Sequence, residues 1–187
     1  MAARRVAQFS QEFHVEVTWW PFELHPETPP EGRDISGYVS ARGDAYRDHL
    51  KAYAADAGIT LASNRHLANS HRALELAEFA RDRGAFECVH DALFRACFAD
   101  ARNIGDLDVL CDIATACELD AEEFRVECLV GRYAQLIDHT TSVAREKGVS
   151  STPTMIFDDR FALMGAQDMD VYRNVLERLG AVPRYPV

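Results

Sequence analysis

Gly148-Val-Ser-Ser-Thr152-Pro153-Thr-Met-Ile-Phe157 is the most specific stretch of the 187-residue sequence: a helix stop, a short polar loop, then a proline at the mouth of a strand. Proline has no N–H to give to a ladder, so it can open a strand but cannot sit inside a central one. Downstream, Thr154–Phe157 and Phe161–Gly165 flank a turn at Asp158-Asp159 and predict a β-hairpin. A closing helix follows, with Asp168 as its cap and Val171, Tyr172, Val175 and Leu179 turned inward. At the other end of the chain, Ala2, Val6, Phe9 and Phe13 fall at helical steps on one face. Val15–Trp20 then alternates apolar and polar residues and reads as a strand ended by Pro21.

Between these ends the chain reads as helical. His25-Pro-Glu-Thr-Pro-Pro-Glu-Gly32 is a turn segment that continues neither element. Asp44 is placed to cap a helix carrying Leu50, Tyr53, Ala54 and Ala57 and stopping at Gly58. Asn69 caps the next, with Ala73, Leu74, Ala77 and Ala80 inward and Gly84 as its end. Phe86, Val89, Leu93, Phe94 and Cys97 mark a third, and Asp106 opens a fourth with Leu107, Leu110, Cys111, Ala114 and Cys117. Asp120-x-x-Glu123 resembles a capping box, opening a long fifth helix bent near Gly131 and running through Ile137 and Ala144 to Gly148. There is no internal repeat.

Composition bounds the function. Hydrophobic residues at 48% and charged ones at 27% suit a folded globular chain. A formal charge of −10 repels a phosphate backbone, which argues against nucleic acid as a partner. No apolar run approaches the ~20 residues that cross a bilayer, and nothing at Met1-Ala-Ala-Arg4-Arg5 resembles a signal peptide, so no membrane partner is expected and the chain reads as cytoplasmic. Cys88, Cys97, Cys111, Cys117 and Cys128 are odd in number and lack a C-x-x-C pair, so they read as small buried hydrophobes in a reducing compartment, without a disulfide framework. His66 and His71 around Asn69, and Cys88 beside His90, do not share helix faces, and no metal site is expected from them.

A strand-initial proline, a hairpin and a last helix, preceded far upstream by a helix–strand pair, follow the order of a thioredoxin fold. The fold class read from this is α/β: thioredoxin-like with a large helical insertion and without the first strand. Residues 1–30 and 148–187 would form the partial thioredoxin-like domain, and 31–147 the inserted helical subdomain. The whole chain resembles the DsbA-type thioredoxin family, in its FrnE-like and 2-hydroxychromene-2-carboxylate isomerase-like branch. The matching pieces are Trp20-Pro-Phe-Glu-Leu-His-Pro-Glu27, Asn69-Ser70 with Arg72-Ala-Leu-Glu75, Ala92-Leu-Phe-Arg-Ala96, Asn103-Ile-Gly-Asp106, Gly148-Val-Ser-Ser-Thr-Pro-Thr154 and Gly165-Ala166-Gln167.

The resemblance implies a cis peptide before Pro153, with Thr152 and Pro153 as the substrate-binding platform for a protein or peptide thiol or disulfide. It also implies Gly165, Ala166 and Gln167 as glutathione contacts if glutathione is the co-substrate; no resident cofactor is expected. The chain departs from the family where it matters most. Members open with a strand leading to Cys-Pro-x-Cys at the N-terminus of the first helix, where the helix dipole lowers the thiol pKa. Arg4-Arg5 resembles the basic pair just after that motif, which places the motif upstream of Met1 and leaves no catalytic residue in this chain. Three readings follow: a dithiol oxidoreductase whose nucleophile lies upstream, a redox-inactive peptide-binding module, and a glutathione-dependent isomerase or transferase. A homodimer is compatible with each. The missing strand would lie between Val15–Trp20 and Thr154–Phe157, leaving either a gap filled by another chain or direct pairing of the two.

Overall fold

In the computed structural model the described residues are 2–43, 48, 51–52, 54–55, 60–62 and 65–185. The chain divides into two units, Met1–Trp20 with Lys147–Val187, and Pro21–Glu146. The first boundary thus falls at Pro21 rather than at residue 31. No helix among the described residues is long and apolar enough to cross a membrane.

The first unit grows from the stripe of Val6 and Phe9 on α1 (Ala2–Glu12). These two and Phe13 bury against Met169, Tyr172 and Leu176 of α8 (Met169–Arg178). β3 (Thr154–Phe157) and β4 (Phe161–Met164) pair antiparallel as the expected hairpin, Thr154 opposite Met164 and Phe157 opposite Phe161. Asp158 and Asp159 both take φ of 52°, the left-handed conformation that aspartate tolerates in a tight turn. The Phe9 ring lies 6.5 Å from Phe157 and 5.7 Å from Tyr172, which ties helix, hairpin and last helix into one small core.

Two expectations for this unit are corrected. Val15–Trp20 is not a strand. Alternation specifies a strand only where a neighbour supplies ladder partners, and among the described residues the segment pairs with none, neither with Thr154–Phe157 nor elsewhere. Just before it, Phe13 bridges Pro183 and the His14 N–H donates to the Val182 carbonyl at 2.8 Å. Trp19 packs on the core, whereas Trp20 is 62% exposed. Asp168 precedes α8 in extended backbone, but its side chain accepts no capping bond, and Leu176 rather than Leu179 is the buried leucine.

The second unit is helical. A short β1 (Arg33–Asp34) pairs antiparallel with β2 (His66–Leu67), and α2 (Ser36–Ala41) follows β1. The helix expected over Asp44–Gly58 falls mostly outside the described residues; within it, Ala54 is fully buried. α3 (His71–Asp82) is the centre, packed by α4 (Phe86–Phe94), α5 (Leu107–Ala116), α6 (Ala121–Leu129) and α7 (Ala134–Glu146). Being covered on several sides, α3 buries Leu76 and Phe79 completely, beyond the single stripe read from its sequence. Asn69 Oδ1 accepts the His71 N–H at 2.9 Å, and Asp106 and Asp120 cap α5 and α6 through their side chains. The long fifth helix is interrupted between Leu129 and Ala134, at Gly131 with φ of 67°. Phe79 and Phe124 meet edge to face at 5.4 Å.

The cysteine reading is corrected too. Cys88 and Cys117 form a disulfide, their Cα atoms 5.8 Å apart. Helix packing brings α4 beside the end of α5, a juxtaposition that sequence spacing does not reveal.

Candidate functional site

The loop between α7 and β3 is built by three local features. The Thr152–Pro153 peptide is cis. The Thr154 hydroxyl donates to the Ser151 carbonyl at 2.7 Å, bracing the turn, and the Gly165 N–H donates to the Pro153 carbonyl at 2.8 Å, fastening the loop to the end of β4. Thr152 itself is exposed, and among the described residues its backbone N–H and C=O donate or accept no hydrogen bond. A braced loop presenting one unpaired donor and one unpaired acceptor is what an extended peptide needs in order to add to a strand edge.

Gly165, Ala166 and Gln167 lie beside this loop, with Gly165 at φ of 76°. Two of their N–H groups are already engaged. Gly165 donates to Pro153, and the Gln167 N–H donates to the Tyr172 hydroxyl at 3.0 Å, while Gln167 Nε2 donates to the Met164 carbonyl. A carboxylate arriving at this turn would have to displace those bonds.

No cysteine lies in the unit that holds the loop. Two of the five are tied in the disulfide, and burial raises the thiol pKa of Cys97 and Cys111. Burial, with Glu75 beside it, pushes the Cys128 thiol up to about 11. None of these settings favours a thiolate.

One constellation in the helical unit is missed by reasoning from sequence spacing. Glu23, His71 and Asp138 offer ligand atoms that all lie within 4.8 Å of one another. They come from three distant segments, and nothing in their local spacing points to it. His71 and the buried Glu75 also line a cleft of about 440 Å³ with Asn69, Arg72 and Cys128.

A model of the DSBA-like thioredoxin domain matches residues 1–177. The chain belongs to the DSBA-like thioredoxin domain family. Its fold is thus thioredoxin-like with a large helical insertion, in agreement with the resemblance to the DsbA-type family. Among solved structures, this family member is similar to a probable DsbA oxidoreductase, SCO1869, from Streptomyces coelicolor, with a TM-score of 0.85 and 26% identity, covering 100% of this chain and 85% of that one. It also shares its fold with a 2-hydroxychromene-2-carboxylate isomerase at a TM-score of 0.71 and 17% identity, over 96% of this chain and 88% of the other. Of curated relatives, the Bacillus subtilis (strain 168) protein YwbO is 25% identical over 167 residues, 87% of this chain and 81% of its own. The ClpXP adapter protein SpxH of the same organism is 32% identical over 94 residues, 46% of this chain and 31% of its own length.

Proposed function

We propose that residues 1–20 and 147–187 act as the substrate platform of a DsbA-type thiol–disulfide oxidoreductase whose Cys-Pro-x-Cys stands upstream of Met1. The chemistry is thiolate attack on a substrate disulfide. One sulfur–sulfur bond breaks, a mixed disulfide forms, and the departing thiolate takes a proton. The second cysteine of the motif then attacks the mixed disulfide, so that the substrate leaves reduced by two electrons and the motif ends oxidised. Thr152 and Pro153 hold the substrate chain in extended form during the mixed-disulfide stage. The unpaired backbone groups of Thr152 beside the cis peptide carry this reading.

A second reading has its own support: a peptide-binding module without redox chemistry, favoured by the confinement of all five cysteines to the helical unit. A glutathione-dependent isomerase or transferase is less favoured, because the Gln167 N–H is occupied by Tyr172. Insulin reduction separates the readings. The 187-residue chain should give no turnover above free dithiol, and the same chain extended by its upstream codons should turn over if those codons encode the dithiol. Turnover by the 187-residue chain alone contradicts the proposal, and an inactive extended chain favours the binding module. Stabilisation by millimolar glutathione would instead support the glutathione enzyme.

A further inference from the structure

We propose that Glu23, His71 and Asp138 form a binding site for a divalent first-row transition-metal ion in the helical unit, taking zinc-like ions through one imidazole and two carboxylates. His71 Nδ1 lies 3.0 Å from Glu23 Oε2. The two are hydrogen-bonded to each other, and because ligand atoms about 2.1 Å from a shared ion are about 3.0–3.4 Å apart, an ion could replace the shared proton with little movement of either side chain. Asp138 completes a set whose ligand atoms fall within 4.8 Å of one another.

The site is held in place rather than assembled from loose surface chains. The Glu23 backbone N–H is fixed by the Thr141 hydroxyl at 3.0 Å, one turn along α7 from Asp138. His71 opens α3, where Asn69 caps its N–H. Glu23 is 4% exposed, and Arg145, the guanidinium near it, reaches the Glu23 and Leu24 carbonyls, not the carboxylate. Two carboxylates thus converge on one imidazole in a partly desolvated place, an excess of negative charge that a bound cation relieves.

A second feature points the same way. Glu75 is 3% exposed, and its Oε2 has no hydrogen-bond partner among the described residues. Its Oε1 lies 3.9 Å from His71 Nε2. An imidazole bound to metal through one nitrogen ordinarily donates its other N–H to a carboxylate, which fixes the ring. With the ion on Nδ1, Glu75 is the buried carboxylate facing Nε2; its Oε1, which also accepts from Cys128 Sγ at 3.8 Å, must close the 3.9 Å gap before that bond forms. The donor set of nitrogen and oxygen without thiolate suits zinc, manganese or cobalt in the divalent state rather than a soft ion. Three protein ligands leave positions open for water.

Titration of the chelator-stripped 187-residue protein with Zn²⁺ by calorimetry, without reductant, tests the proposal, with Co²⁺ absorption as a second reading. One equivalent should bind, and the Co²⁺ form should lack a sulfur-to-cobalt charge-transfer band. Asp138→Asn, at an exposed position, should leave the fold intact and weaken binding by more than the ~10–100-fold that loss of a merely positioning partner costs. Glu23→Gln should do the same. Wild-type affinity in Asp138→Asn, a thiolate band, or no binding of Zn²⁺ overturns the proposal, and should Glu23→Gln fail to fold, Asp138→Asn still decides.

Discussion

Arg173 on α8 grips Glu12 at the end of α1 with two parallel bonds, Nε to Oε2 at 2.7 Å and Nη2 to Oε1 at 2.8 Å. Such a bidentate pair is the geometry in which a guanidinium binds a carboxylate best. The hydrogen bonds from Arg173 hold the Glu12 pKa below its ordinary 4.5 against the opposing effect of burial. A lowered carboxylate pKa adds stability that is fully present above the unfolded value and is lost as pH falls through the folded one. Arg173→Leu should therefore lower the melting temperature at neutral pH. Its deficit from the wild type should shrink as pH drops below about 4.5, as thermal melts across pH 3–7 would show. An equal deficit at every pH would mean that Arg173 acts by packing alone.

The Cys88–Cys117 bridge closes a loop with a sequence separation of 29 across the helical unit. Loop-closure entropy of that length corresponds to about 3–4 kcal/mol of stabilisation. Urea unfolding of Cys88→Ser/Cys117→Ser should show a loss of that order without dithiothreitol, and dithiothreitol should destabilise the wild type but not the double variant. Unchanged stability in both comparisons would remove the bridge from the account.

How much of this was legible in the sequence depends on how local the cause is. Asp106 and Asp120 cap their helices because a carboxylate needs only the next few N–H groups, and those positions read directly. The hairpin at Asp158-Asp159 reads for the same reason. Val15–Trp20 misleads because its alternation is a half-statement, completed only by a neighbouring strand. Leu76 and Phe79 escape a stripe drawn from one face because α3 is covered on several. Cys88 with Cys117, and Glu23 with His71 and Asp138, are meetings made by helix packing, and no spacing rule announces them. Within the loop at Pro153, the sequence points to the proline but not to the brace from Thr154 or to the bond from Gly165.

Cys128 should be a poor nucleophile. Burial comes first among the causes that raise its thiol to about 11 from an ordinary 9.0, so at pH 8 its thiolate is roughly 100-fold scarcer than that of an unperturbed thiol. Iodoacetamide labelling followed by mass spectrometry should find Cys128 modified about that much more slowly than a free thiol in a peptide. Glu75→Gln should recover only part of the rate, since burial remains. Labelling at the peptide's rate would show that the thiol opens to solvent.

The hydroxyl of Thr154 is the brace that keeps the platform presentable, and its removal separates shape from mere stability. Thr154→Val fills nearly the same space but cannot donate to the Ser151 carbonyl, 2.7 Å away. The lost bond should cost about 1 kcal/mol in unfolding free energy. The loop, fastened on its other side by Gly165, should stay in place but open more often, so exchange of the Gly165 amide, whose N–H is held by the Pro153 carbonyl, should quicken several-fold more than exchange within α1. Thr154→Ser keeps the donor and should behave as the wild type in exchange while losing only a methyl contact. Equal exchange at Gly165 in the valine and serine variants would show that the proline and the Gly165 bond hold the loop without help from the hydroxyl.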